Sequence, residues 1–284
     1  MLLDRNQNPK RAPQAVTVGT LPLHCTLHAA APADPLVLFL PGIATHGGLY
    51  HEFLGALAAE GFNVVALDPR GHGRSGGDRG LYTVVETVAD VAAVRAHFAE
   101  RLHGPLCLMG YSIGSPLALA AAEELPGVAA LLCHTLMLGA HPPDLFHAVG
   151  WQTLGWTNLL LPGWKVDLAH LLDVDSLLCE ARHGRWLRED ELLVWEYPVS
   201  TLASVFGHRH RALSEVLPFR AAVFTGERDE VVSPAYTRRL LEHLAHPFDT
   251  LEIEAGCHML PFTRAQELAR HSAGWLAQAL SVAA

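Results

Sequence analysis

Short apolar runs of strand length alternate with longer helix-like runs along most of this chain, and the alternation predicts an α/β fold. The sheet is mostly parallel, with helices on both faces. Two further observations refine it. The stretch between Ala15 and His28 alternates as two short strands and predicts an antiparallel hairpin at one sheet edge, which with six later strands makes an eight-stranded sheet. Between about residues 139 and 213 the strands stop and the chain turns helical and aromatic, which predicts a helical cap inserted after strand 6. The core domain is then 1–138 with 214–284, and the cap is 139–213. A chain of 284 residues, half of them hydrophobic, can bury one large core.

Taken in order, the strand at 36–40 is a continuous apolar run that ends in Pro41-Gly42-Ile43-Ala44-Thr45-His46-Gly47-Gly48. Gly42 lets the chain bend there, so the backbone N–H of Ile43 can point at developing negative charge. A helix is predicted over 50–59, a strand over 63–68, a helix over 84–101 and a strand over 105–109.

That last strand runs into Gly110-Tyr111-Ser112-Ile113-Gly114, and an Ala- and Leu-rich helix is predicted from 113 to 125. The serine sits on a sharp strand-to-helix turn, flanked by glycines because a Cβ at either place would collide with the neighbouring backbone. Such a turn lifts Oγ above the sheet edge, and the new helix aims its N-terminal N–H groups beside it. The N–H of Ile113 pairs with that of Ile43 as the second candidate oxyanion donor. A strand at 128–133 completes the first half of the core.

The cap region holds Trp151, Trp156, Trp164, Trp186 and Trp195, five of the six tryptophans. Residues 145–164 contain no Asp, Glu, Lys or Arg, but Gln152, Thr153, Thr157, Asn158, Pro162 and three glycines argue against a membrane span. Three readings stay open: a buried cap helix, an apolar wall of an acyl pocket, or peripheral membrane contact through amphipathic aromatics. Tyr111 beside the nucleophile, with Trp151 and Trp156 in the cap, are the candidate substrate-binding residues.

Beyond the cap, a strand at 220–224 leads into Thr225-Gly226-Glu227-Arg228-Asp229-Glu230, and carboxylates just past a strand end lie where α/β sheets gather their chemistry. Asp229 is the first choice, with Glu227 and Glu230 as rivals. A strand at 248–253 then leads to Gly256-Cys257-His258, ahead of helix 264–280. Among 18 histidines, His258 stands apart by this position. The order Ser112, Asp229, His258 is that of the α/β-hydrolases.

The run Asp68-Pro69-Arg70-Gly71-His72-Gly73-Arg74-Ser75 resembles the D-x-R-G-H-G-x-S segment of α/β-hydrolases. Its extension, Gly76-Gly77-Asp78-Arg79-Gly80, is similar to the monoacylglycerol lipase/lysophospholipase branch, which includes the serine aminopeptidase-like hydrolases. The resemblance spans about 36–276. It implies the α/β-hydrolase fold, a helical cap, and ester hydrolysis without a cofactor through the triad named above. Asp68 and His72 are expected to order loops. Two departures stand out: Pro41-Gly42 replaces the branch's His-Gly, and the elbow reads Gly-Tyr-Ser-Ile-Gly where the branch often has Gly-His-Ser-Met-Gly.

These residues together predict a serine hydrolase for small-molecule esters with an apolar chain. An aminopeptidase would need a cap carboxylate for the substrate ammonium, and Glu180, Glu189, Glu191 and Glu196 are available. An acyltransferase and a non-catalytic binding protein are the remaining alternatives.

A formal net charge of −9 argues against a nucleic-acid surface. Five cysteines without a Cys-x-x-Cys pair indicate neither a disulfide framework nor a zinc site, and Cys107 and Cys133 fall in core strands. His208-Arg209-His210 has no carboxylate cluster beside it in sequence, so no metal is expected. The first residues, Met1 to Asn6, lack an apolar signal region, which leads to an expectation of a cytoplasmic protein.

Overall fold

The computed structural model describes residues 13–170 and 190–283. In chain order the strands are β1 (Gln14–Val18), β2 (Leu23–His28), β3 (Leu36–Leu40), β4 (Asn63–Leu67), β5 (Leu106–Tyr111), β6 (Val128–His134), β7 (Lys165–Asp167), β8 (Glu196–Pro198), β9 (Arg220–Gly226) and β10 (Phe248–Ile253). Eight form one sheet in the order β1-β2-β4-β3-β5-β6-β9-β10. Only β2's two pairings are antiparallel, so the hairpin occupies one edge as expected. Strands β7 and β8 pair separately, antiparallel to each other.

Every residue of β3, β4 and β5 is buried, the mark of a parallel sheet covered on both faces. Successive side chains enter opposite cores. Leu36, Leu38 and Leu40 join Leu106, Leu108 and Leu131 on one side, while Val37 and Phe39 join Cys107, Met109 and Leu132 on the other. The helices are α1 (His51–Ala59), α2 (Val84–Ala99), α3 (Gly114–Glu124), α4 (Leu145–Leu160), α5 (Val199–Gly207), α6 (Pro234–Leu241), α7 (Leu260–Thr263) and α8 (Ala265–Ala283). Helices α1 and α8 close the second core through Leu54, Leu57, Leu268 and Leu276, and α2, α3 and α6 close the first.

Helix α2 begins at a capping box, in which the Thr83 hydroxyl accepts from the Glu86 N–H and Glu86 accepts from the Thr83 N–H. At the start of β4, fully buried Asn63 accepts from the Ala30 N–H at 2.8 Å and donates to Ala31 O at 2.6 Å, tying the end of the hairpin to the parallel sheet. Cys25, Cys107 and Cys133 are buried and unbridged, and burial pushes each thiol up to about 12.

Between β6 and β9 the structure differs from the sequence expectation in two ways. The β7–β8 pair lies in a region expected to be wholly helical; three-residue strands are too short to show a period of two. Helix α4 is not a buried helix, since none of its 16 residues is buried. It leans on α5 through Trp151, whose ring stacks on Phe206 at 4.8 Å and 11°. Trp186 lies outside the described residues. A third apolar cluster, Tyr82, Ile113, Leu117, Tyr197, Leu202 and Val205, seats β8 and α5 on the start of α3.

Candidate active site

Strand β5 hands directly over to α3 at Ser112, whose backbone is left-handed with φ 51°. The turn works only because its neighbours are glycines. A Cβ on Gly110 would stand 2.3 Å from Gly114 O, and one on Gly114 would stand 2.2 Å from Leu40 O. Hydrogen bonds hold the turn from both sides. The Ser112 N–H donates to His134 O at 2.8 Å, and the Ser115 hydroxyl donates to Gly110 O at 2.9 Å. Ser112 itself stays partly accessible.

His258 follows β10, and its Nε2 lies 3.2 Å from Ser112 Oγ. Its Nδ1 lies 2.8 Å from Asp229 Oδ2, which fixes the proton on Nδ1 and leaves Nε2 as acceptor for the serine hydroxyl. The other Asp229 oxygen accepts from the N–H groups of Val231 at 2.9 Å and Val232 at 2.8 Å. Asp229 is buried, whereas both rivals are exposed. Glu227 accepts from the Ala255 N–H at 2.7 Å, holding the turn before His258.

Tyr111 lies beneath His258 at 4% exposure, away from the open surface expected of a substrate contact. Its hydroxyl donates to His258 O at 3.1 Å, and its ring stacks on His134 at 4.9 Å. Trp156 also departs from the expected pocket wall. It stands 73% exposed on α4, in a stripe with Phe146, Leu159 and Leu160.

The loop after β3 is held from both sides. The Gly42 N–H donates to the Tyr50 hydroxyl at 3.1 Å, and Thr45 Oγ1 donates to Gly42 O at 2.8 Å. Ala44, left-handed at φ 65°, donates its N–H to Tyr197 Oη at 2.8 Å and accepts from the Val194 N–H at 3.0 Å. His46 Nε2 meets Asp190 Oδ2 at 2.9 Å. Between these fixed points, the N–H of Ile43 has no acceptor among the described residues, and neither has that of Ile113. Two unclaimed donors are therefore present, one directly after Ser112 and one on the loop that follows β3, the strand paired with β5.

The motif after β4 serves this loop. Asp68 accepts from the Gly47 N–H at 2.8 Å and the Arg74 N–H at 3.0 Å. His72 Nδ1–H donates to Arg70 O at 2.9 Å, so Nε2 accepts from the Tyr197 hydroxyl at 2.5 Å. Tyr197 is thus the junction between β8, the motif and the loop. Sequence reasoning missed it because a lone tyrosine in Glu196-Tyr197-Pro198 carries no distinguishing pattern. Of the four glutamates considered for a substrate ammonium, Glu196 is exposed and lies 3.3 Å from Lys165. Glu191 is exposed, and Glu180 and Glu189 lie outside the described residues.

A mostly parallel sheet bearing serine on a strand-to-helix turn, with a buried carboxylate and a histidine on later carboxyl-edge loops, defines an α/β-hydrolase. Residues 31–263 match the family described as serine aminopeptidase, S33, and the chain belongs to that family. A monoacylglycerol lipase of Mycolicibacterium smegmatis is 27% identical over 251 residues, which cover 82% of this chain and 85% of that protein. The crystal structure of a Paleococcus ferrophilus monoacylglycerol lipase superposes with a TM-score of 0.72 at 22% identity, covering 90% of this chain and 99% of that one. A soluble variant of the Saccharomyces cerevisiae monoglyceride lipase superposes with a TM-score of 0.73 at 13% identity, covering 96% and 97% of the two chains.

Two histidines beside the site are neutral by burial. His134 is pushed down to about 3, and both its ring nitrogens lack hydrogen-bond partners. His72 is pushed down to about 4, burial outweighing its bond to Arg70 O. Their folded values lie below the unfolded value near 6.5, so the unfolded chain takes up protons first. Stability is therefore full above about pH 6.5 and falls as the pH drops toward 4. Urea unfolding at pH 5 should give a free energy lower than at pH 7.5, by up to about 2 kcal/mol for each of the two histidines. A flat profile would contradict the neutral assignment.

Proposed function

We propose that this protein is a carboxylic ester hydrolase of the monoacylglycerol lipase type, with Ser112 as nucleophile, His258 as base and Asp229 as the acid that orients it. The hydrogen-bonded line Asp229–His258–Ser112 carries the reading. Ser112 Oγ attacks the ester carbonyl as His258 Nε2 takes its proton. The N–H groups of Ile43 and Ile113 hold the oxyanion, His258 returns the proton to the leaving alcohol, and water repeats the sequence on the acyl-enzyme. Asp229 keeps the proton of Nδ1 in place and stabilises the imidazolium.

The likeness to the mycobacterial lipase supports an apolar acyl substrate, as does the uncharged surface of α4. In this reading the inserted region, of which residues 139–170 and 190–213 are described, is the cap, and the exposed α4 stripe is the face that meets substrate aggregates or a membrane surface. Exposed glutamates, one of them beside Lys165, give less support to the aminopeptidase alternative.

Ser112→Ala should lower kcat by on the order of 10⁶, and a fluorophosphonate should add its mass to the peptide containing Ser112. Asp229→Asn should cost roughly 10⁴, with Glu227→Gln and Glu230→Gln within about tenfold of wild type. Labelling at another residue, or a larger loss at either glutamate, reassigns the role.

Tyr197→Phe removes the acceptor of the Ala44 N–H and leaves His72 Nε2 unpaired. With the oxyanion loop loosened, kcat should fall about tenfold or more while KM stays within a factor of about three. An unchanged kcat would detach Tyr197 from catalysis.

On p-nitrophenyl esters, kcat/KM should rise by up to about fourfold for each added methylene until the pocket is filled. Trp151→Ser should flatten that slope. Trp156→Ser should slow hydrolysis of vesicle-borne monoacylglycerol and leave a soluble butyrate ester unaffected. A profile that falls from acetate to octanoate would reject the apolar-chain reading, and turnover of leucine p-nitroanilide would favour the aminopeptidase.

A further inference from the structure

Away from the triad, the last turn of α3 buries a carboxylate. The Glu123 side chain is 2% exposed and that of His210 3%, with Glu123 Oε2 and His210 Nδ1 3.4 Å apart. The two atoms stand at ion-pair distance, and against the upward push of burial His210 holds the Glu123 carboxyl below its ordinary value, yet His210 Nδ1 makes no well-formed hydrogen bond. Glu123 Oε1 is already held by the Ala212 N–H at 2.9 Å. Arg211, which could have neutralised the carboxylate, instead directs two guanidinium nitrogens to Glu215, at 3.1 Å and 2.7 Å, and a third to the Glu123 main-chain oxygen. His208 completes the group, its ring centroid 4.5 Å from that of His210. One ligand atom from each of Glu123, His208 and His210 lies within 4.8 Å of the others.

A buried carboxylate facing an imidazole nitrogen at 3.4 Å is costly unless a proton or a metal ion joins them, and the neighbouring His208 supplies the third donor that a metal ion needs and a proton does not. Two imidazole nitrogens and one carboxylate oxygen suit zinc, whose bonds of about 2.0–2.2 Å place tetrahedral ligands roughly 3.4 Å apart. Side-chain shifts of about 1 Å bring the present donors to that spacing. The sequence alone argued against a metal because no acid accompanies His208-Arg209-His210; folding supplies Glu123 from a helix far earlier in the chain.

We propose that Glu123, His208 and His210 form a binding site for a divalent transition-metal ion of the zinc class, with partly exposed His208 facing the entry. The ion joins the end of α3, the helix that starts beside Ser112, to the segment that feeds β9, the strand that leads to Asp229. It braces the two elements and takes no part in the chemistry at Ser112.

The test uses the full chain, stripped with a chelator and titrated with Zn²⁺ by calorimetry and with Co²⁺ by visible absorption. One equivalent of Zn²⁺ should bind more tightly than about 1 μM and raise Tm. His208→Gln changes a half-buried side chain outside the catalytic machinery. It should weaken binding by at least about 100-fold, abolish the Tm shift and leave basal esterase activity unchanged. His243→Gln, which changes exposed His243 and breaks its ring contact with His141 at 4.4 Å, should leave both metal readouts unchanged. Absence of one-equivalent binding tighter than about 1 μM, or equal binding by His208→Gln, overturns the site.

Discussion

The site rests on left-handed backbone at the carboxyl edge of the sheet. Among the described residues four that are not glycine have positive φ: Ala44 at 65°, Ser112 at 51°, Thr135 at 54° and Ala255 at 52°. Each follows a strand of the parallel sheet, after β3, β5, β6 and β10. A side chain in this conformation costs of order 1–3 kcal/mol and persists only where surrounding structure over-determines it. Here the surroundings do so with specific bonds. Ser112 N–H is tied to His134 O, Thr135 N–H to Phe224 O, Ala255 N–H to Glu227, and Ala44 is held at both its N–H and its carbonyl. Two of these turns carry the site directly: Ser112 is itself left-handed, and Ala255 stands three residues before His258.

The same logic explains why two donors remain free. Gly42 and Ala44 have claimed N–H groups on either side of Ile43, and Ser112 and Ser115 have claimed ones around Ile113. The unclaimed N–H groups are held by their neighbours, so in the oxyanion role proposed for them they would need little reorganisation. Water would satisfy such donors equally well in the resting state. What the fold contributes is their fixed orientation.

Much of this was legible in the sequence, for local reasons. The elbow was readable because the two glycines are required by contacts that any such turn must make, and the parallel strands because burial on both faces leaves uninterrupted apolar runs. For the acid, Asp229 was the first choice but Glu227 and Glu230 share its loop; the folded turn sends Asp229 inward to His258 and leaves the other two outside. Nor could sequence show that α4 is exposed, because an uncharged aromatic helix reads alike as core or as surface. Tyr197 and the Glu123 cluster were invisible for a third reason. Their partners, Ala44, His72, His208 and His210, lie far along the chain, and no spacing rule reports on contacts made by folding.

Tyr197 also sets how the inserted region and the core relate mechanically. From the end of α4, Pro162 O and Trp164 O accept the first N–H groups of α5, from Ser200 at 3.1 Å and Val199 at 2.8 Å. Lys165 to Asp167 then pair antiparallel with Glu196 to Pro198, and from that pair Tyr197 reaches across to Ala44. The exposed apolar helix and the loop bearing Ile43 are therefore attached to one hydrogen-bonded unit. A motion of that unit relative to the sheet must either break the two bonds to Ala44, leaving buried polar groups unpaired, or carry the loop with it. Each unpaired group would cost about 1–3 kcal/mol. Small displacements therefore carry the loop along, and only large ones break the bonds. An inserted region joined to the core in this way is held to the loop bearing Ile43 whatever surface α4 meets.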